Sequence, residues 1–116
     1  MNTASYTQLT NGISANLAPF RKTQAETMRG FGAMSQAAMA AGAIDAKTKE
    51  LIAMAIGVAA RCDGCIGFHA KALVRLGATQ QELDEVLAVA VYMGGGPSLM
   101  YAANALAAFK EFSETA

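Results

Sequence analysis

Apolar positions along this chain recur at three- and four-residue spacing, and no stretch alternates in twos between turn dipeptides, so helix is expected throughout. Pro19 suits a helix start, with Phe20, Met28, Phe31, Met34 and Met39 following and Gly42 as a left-handed stop. Asp45 is placed to cap the next helix, Ala46 to Ala60. There Leu51, Ile52, Met54, Ile56 and Val58 leave no polar face after Glu50, the pattern of a helix buried on most sides. Gly57 and the alanines around it permit a neighbouring helix to come close. A further helix runs from about Cys62 to Leu76 and stops at Gly77. Thr79-Gln80-Gln81-Glu82 fits a capping box, the strongest helix start in the chain, and Leu83, Val86, Leu87, Ala90 and Val91 follow it at helical spacing. Gly94 to Gly96 break the pattern. Pro97 reopens it, and Leu99, Tyr101, Leu106, Phe109 and Phe112 lead to a tail expected to fray from Ser113 to Ala116. The expected fold class is therefore all-α, a single helical domain of about five to six helices over residues 1–116.

Composition adds a constraint that the pattern alone does not carry. Apolar residues make up 53% of the 116 residues and charged residues only 16%, more apolar surface than so short a chain can bury internally. The surplus predicts a homo-oligomer, with the small-residue stretch Gly30 to Ala43 at or near its interfaces. The seven methionines read as gap-fillers of cores and interfaces, and Tyr92 and Tyr101 as core residues. Nine basic and nine acidic residues cancel without blocks of either sign, which removes the basic footprint that nucleic-acid binding needs. Val86 to Phe109 carries no charge, but Gly94-Gly95-Gly96-Pro97 divides it into halves too short to cross a bilayer, so two buried helices and no membrane are expected. The same glycines lack the Lys and the preceding strand of a phosphate loop. Met1 to Leu17 has neither basic residue nor continuous apolar run, hence no secretory signal is expected and the cytoplasm is the expected compartment.

The chemistry concentrates in one place. Cys62 and Cys65, the only cysteines, and His69, the only histidine, fall within eight consecutive residues. Two thiols three apart at a helix start lie close enough to close a disulfide, and the unpaired amides and positive dipole end there favour a thiolate. His69 stands four residues after Cys65, on the same helix face, where an imidazole takes or returns the sulfur's proton. Asp63 opposes this, since a carboxylate beside a thiol disfavours its anion. Other uses of these residues stay open: a zinc site short of ligands, a static disulfide closing a loop too short to stabilise much, or inert buried thiols with a core histidine.

Lys47-Thr48-Lys49-Glu50-Leu51-Ile52, the Cys62-x-x-Cys65-x-x-x-His69 core, Leu76-Gly77-Ala78-Thr79 and Met93-Gly94-Gly95-Gly96-Pro97 together resemble the carboxymuconolactone decarboxylase superfamily, and within it the alkylhydroperoxidase (AhpD-like) branch. The resemblance runs in order over about residues 17 to 112. It implies an all-helical fold assembled as a homotrimer or homohexamer, and a thiol-dependent peroxidase acting on an organic hydroperoxide. By that resemblance Cys65 is the attacking thiol, Cys62 resolves it, and Glu50 and His69 form the proton relay, with a lipoyl- or thioredoxin-like thiol reductant and neither metal nor bound cofactor. Glu50, a lone carboxylate entering an apolar helix, suits a proton carrier, and equally suits an exposed first-turn residue favoured by the helix dipole. At Gly64 the chain departs from well-studied peroxidases of the branch, which carry a histidine between the cysteines; one proton donor is thereby removed. The alternatives are a decarboxylase-like enzyme using His69 and Glu50 without the thiols, and a non-catalytic oligomeric redox sensor.

Overall fold

A computed structural model describes residues 5–116; the opening residues of the Met1 to Leu17 segment, 1–4, lie outside the described residues. Six helices and no strand make up the described residues: α1 Tyr6–Thr23, α2 Ala25–Met39, α3 Ala46–Ala59, α4 Asp63–Arg75, α5 Gln80–Gly94 and α6 Gly96–Thr115. Helices α3 to α6 enclose the core. Met54 and Val58 of α3, Ile66, Ala70 and Leu73 of α4, Leu83 and Leu87 of α5, and Ala105, Ala108 and Phe109 of α6 meet there. Helix α1 lies across α4, whereas α2 touches only α1 and α3 and contributes no buried residue.

The expected punctuation holds from Asp45 to Pro97. Asp45 accepts from the Thr48 amide at 2.7 Å, and Thr79 and Glu82 form the reciprocal capping box. Glu82 also accepts from Lys47 Nζ at 2.8 Å, which ties the start of α3 to the start of α5. Helix α4 closes with a Schellman motif: the Gly77 amide donates to Val74 and the Ala78 amide to Leu73, with Gly77 at φ 77°. Gly95, at φ 76°, makes the reversal between α5 and α6, and Pro97 sits in the first turn of α6.

The expected start at Pro19 is corrected. Ser5 caps a helix that runs through Pro19, whose missing amide leaves the Ala15 carbonyl to solvent on an exposed face. Gly42 is not the stop of the following helix, which ends at Met39 where Ala40 turns to extended backbone, and Lys49 Nζ donates to the Ala38 and Ala40 carbonyls at 3.0 and 2.7 Å. The C-terminal tail does not fray at Ser113; α6 continues to Thr115. Burial was over-assigned too. In α3 only Leu51, Met54, Gly57 and Val58 are buried, and Ile52 and Ile56 face outward. Tyr92 is 85% exposed rather than core, and Val89, Met93, Leu99 and Met100 share its exposure, so α5 and α6 bury one face each.

The start of helix α1 is fixed against α6 and α4. Its first amides, unpaired within the helix, find Glu111 of α6, which accepts from Tyr6 N and Thr7 N at 2.9 Å each and from Ser5 Oγ at 2.6 Å. Farther along, Gly67 of α4 lets α1 settle: a Cβ there would stand 2.6 Å from Thr10 Cγ2 and 3.3 Å from Tyr6 Cδ1. Thr10 has little room to yield, because it is buried and its hydroxyl donates to the Tyr6 carbonyl at 2.9 Å.

Gly67→Ala is therefore expected to destabilise by about 1–3 kcal/mol through overpacking, despite a helix-propensity gain of about 1 kcal/mol. Gly12→Ala, with open space around it, should show the gain alone. Urea denaturation of the two variants checks the contrast. The hydrogen bond from Ser5, followed by those from Thr7 and Tyr6, lowers the Glu111 carboxyl from 4.5 to about 2. A carboxyl lowered in the folded state stabilises fully above its unfolded value and loses that contribution as pH falls toward the folded one. Thermal melts should thus show stability falling between about pH 4.5 and 2, with a shallower fall in Glu111→Gln.

Candidate active site at the start of helix α4

The turn from α3 into α4 is a second Schellman motif. The Arg61 amide donates to Val58 at 3.1 Å and the Cys62 amide to Gly57 at 3.0 Å. The left-handed position that glycine fills after α4 is filled here by Arg61, at φ 58°. A side chain in that conformation costs roughly 1–2 kcal/mol, and it is spent directly before the cysteine pair. Cys62 is the N-cap of α4, and its Sγ accepts from the Cys65 amide at 3.1 Å. Cys62 and Cys65 form a disulfide with Cα atoms 5.2 Å apart, inside the ordinary span for such a bond. Both are half-buried.

Helix α4 separates the site into two faces. On the α3 side, Gly57 leaves space for Cys65, whose Cβ would stand 3.2 Å from a Cβ at position 57. One turn farther, His69 Nδ1 lies 2.6 Å from Glu50 Oε1. The carboxylate side chain is largely buried and the imidazole about a third exposed, so the ring's second nitrogen is the one left to meet a reactant. Glu50 is thus not a solvated first-turn residue: α3 brings it to the histidine. Among Cys62, Cys65, His69 and Glu50, the structure joins the cysteines to each other and the histidine to the glutamate, all along the α3–α4 contact.

Asp63 belongs to the opposite face. Two residues from Cys65, it points about 200° around the helix. Tyr6 Oη donates to Asp63 Oδ1 at 2.7 Å and Asn104 Nδ2 donates to the same oxygen at 3.3 Å. Burial, then the hydrogen bond to Asp63, raises the Tyr6 hydroxyl well above the usual phenol range, so it remains a donor at any pH where thiols titrate. Gly64 lies beneath α1 as well, with Ile13 Cδ1 2.8 Å from where its Cβ would be. Tyr6, Asn104 and Arg61 escape the sequence reading. Ser5 and Gln8 at capping spacing, followed by Tyr6, Leu9 and Ile13 at helical spacing, are the signal that would have placed Tyr6 on a helix.

No group of three or more His, Cys, Asp or Glu side chains among the described residues is placed to hold a metal ion. Nor is any helix of the described residues long and apolar enough to cross a membrane.

Comparison with known proteins gives the class to which this helical bundle belongs. The sequence profile of the carboxymuconolactone decarboxylase family matches residues 25–108, and the chain belongs to that family. A crystal structure of a family member from Legionella pneumophila is similar with a TM-score of 0.92 at 60% identity, over 93% of this chain and 96% of that one. A Thermotoga maritima member, described as a candidate for a role in antioxidative response, has a TM-score of 0.71 at 30% identity over 77% of this chain and 92% of that one. An uncharacterized protein from Cupriavidus necator is 41% identical over 109 residues, covering 94% of this chain and 96% of that protein.

Relief of the strained turn gives a test of the site's construction. Arg61→Gly is expected to stabilise the protein by up to about 1 kcal/mol, the left-handed penalty less the added chain entropy of glycine. A rise in Tm with unchanged disulfide formation checks it.

Proposed function

We propose that this protein is a thiol-dependent peroxidase that reduces organic hydroperoxides. The observation that supports this most is the Glu50–His69 contact at 2.6 Å, on the α4 face that also carries Cys65. The antioxidative role suggested for the Thermotoga maritima relative points the same way. In the reduced protein, His69 draws the proton from Cys65 with Glu50 holding the imidazolium, and the positive end of the α4 dipole favours the thiolate. The thiolate attacks the terminal oxygen of the hydroperoxide. The O–O bond breaks, the alkoxide leaves with the His69 proton as an alcohol, and Cys65 becomes a sulfenic acid. Cys62 then displaces water from it, giving the disulfide present in this structure. An external dithiol of lipoyl or thioredoxin type restores both thiols by exchange, and no metal or bound cofactor takes part.

The outward apolar residues, Phe31 and Met34 on α2 and Ile52 and Ile56 on α3 among them, are the surface on which we expect copies of the chain to associate as a homotrimer or homohexamer. Light scattering at micromolar concentration should show the oligomer; a stable monomer contradicts it.

Substitution separates the roles of the two sulfurs. Cys65→Ser should abolish hydroperoxide consumption. Cys62→Ser should permit a single round and trap a sulfenic acid at Cys65 that dimedone labels. His69→Ala should slow the first step by about 10²–10⁴-fold, the usual worth of positioned proton transfer. Dimedone label at Cys62 in Cys65→Ser, with consumption intact, would reverse the assignment. Thiols that hydroperoxide leaves unchanged would favour a decarboxylase-like use of His69 and Glu50, and thiol oxidation without turnover a sensor.

A further inference from the structure

Asp63 poses a problem for any chemistry at the cysteines. A carboxylate between two thiols disfavours thiolate, and at the first position of α4 it competes for the amides that would stabilise one. The structure removes it from that competition. Its Oδ1 receives the Tyr6 hydroxyl from α1 and the Asn104 amide from α6, both on the side of α4 away from Cys65. Tyr6 is itself fixed, buried against Gly67 and held through its backbone amide by Glu111.

We propose that Tyr6 and Asn104 are positioning residues for the cysteine pair: they hold the Asp63 carboxylate on the α1–α6 side of α4 and so keep the Cys65 thiolate available. This rests on reading Cys62 and Cys65 as working thiols. The other charged or titratable groups nearby are sorted the same way. Glu50 and His69 stand on the sulfur side, Tyr101 and Glu111 of α6 lie near Tyr6, and the exposed Arg61 occupies the turn. Among the described residues only Tyr6 and Asn104 donate side-chain hydrogen bonds to Asp63. Helix α1 falls outside residues 25–108, the part matched by the family profile, so Tyr6 adds control from beyond the matched segment.

The test reads thiolate reactivity at Cys65 in the reduced protein. Each variant is alkylated with iodoacetamide at fixed pH near neutrality, and the site is mapped by peptide mass spectrometry. Tyr6→Phe should slow alkylation of Cys65 by roughly threefold, about half a pKa unit. Asp63→Asn should quicken it by about threefold to tenfold, as expected for removal of a neighbouring like charge. The deciding comparison is the double variant. If Tyr6 acts through the Asp63 carboxylate, adding Tyr6→Phe to Asp63→Asn changes nothing further. A Tyr6→Phe protein that alkylates as fast as the parent or faster overturns the proposal, as does an equal effect of Tyr6→Phe in both backgrounds, the mark of a merely structural role. Should Tyr6→Phe fail to fold, Asn104→Leu takes its place with the same expected and contrary outcomes. The comparison needs no hydroperoxide, so failure of the peroxidase reading would show separately, as thiols that hydroperoxide leaves unchanged.

Discussion

The close approach of α3 to α4 at Gly57 is the contact on which the site depends. A hydrogen in place of a side chain there lets Cys65 lie against α3, and the same separation one turn farther brings Glu50 within 2.6 Å of His69 Nδ1. A Cβ at position 57 would stand 3.2 Å from Cys65 Cβ, so even an alanine there requires the head of α4 to give by a few tenths of an ångström. The turn that starts α4 is fitted to this approach rather than to local comfort. Its left-handed position carries Arg61, and the amides of Arg61 and Cys62 return to the end of α3.

The far side of α4 is arranged with the same economy. Gly64 and Gly67 admit α1, Glu111 caps the start of α1, and Tyr6 then reaches Asp63. One helix thus presents sulfur and imidazole to α3 and its carboxylate to α1 and α6. Two neighbours of opposite effect on a thiolate, His69 and Asp63, fall on opposite faces by helical periodicity, and the glycines that let each partner helix close bring Glu50 to the one and Tyr6 to the other.

Local signals proved legible at several places where the residue and its partner lie within one turn, namely Asp45 with Thr48, Thr79 with Glu82, Gly77 in the left-handed position and Cys62 with Cys65, although Ser5 with Gln8 passed unread. The all-helical class followed from the spacing of apolar positions, and the family from the resemblance carried by the Lys47 to Ile52, Cys62 to His69, Leu76 to Thr79 and Met93 to Pro97 motifs. What sequence does not carry is the choice of face. The apolar run in α3 offers no polar side to mark solvent, so Ile52 and Ile56 could not be told from Met54 and Val58, and the same holds for Tyr92 and Met93 in α5. Pro19 misled because its cost depends on whether the carbonyl it orphans meets water, a tertiary fact. Tyr6 and Asn104 are 57 and 41 residues from Asp63, a separation at which no spacing rule operates.

The central claim is that the two cysteines act together on a peroxide bond with Glu50 and His69 beside them. Stopped-flow mixing of the fully reduced protein with one equivalent of an organic hydroperoxide, with thiols counted before and after, tests it most directly. The account predicts rapid loss of both thiols, one equivalent of alcohol, and an intramolecular Cys62–Cys65 disulfide. Thiols that persist over the same interval, or an equivalent of peroxide that oxidises them only slowly, would contradict it.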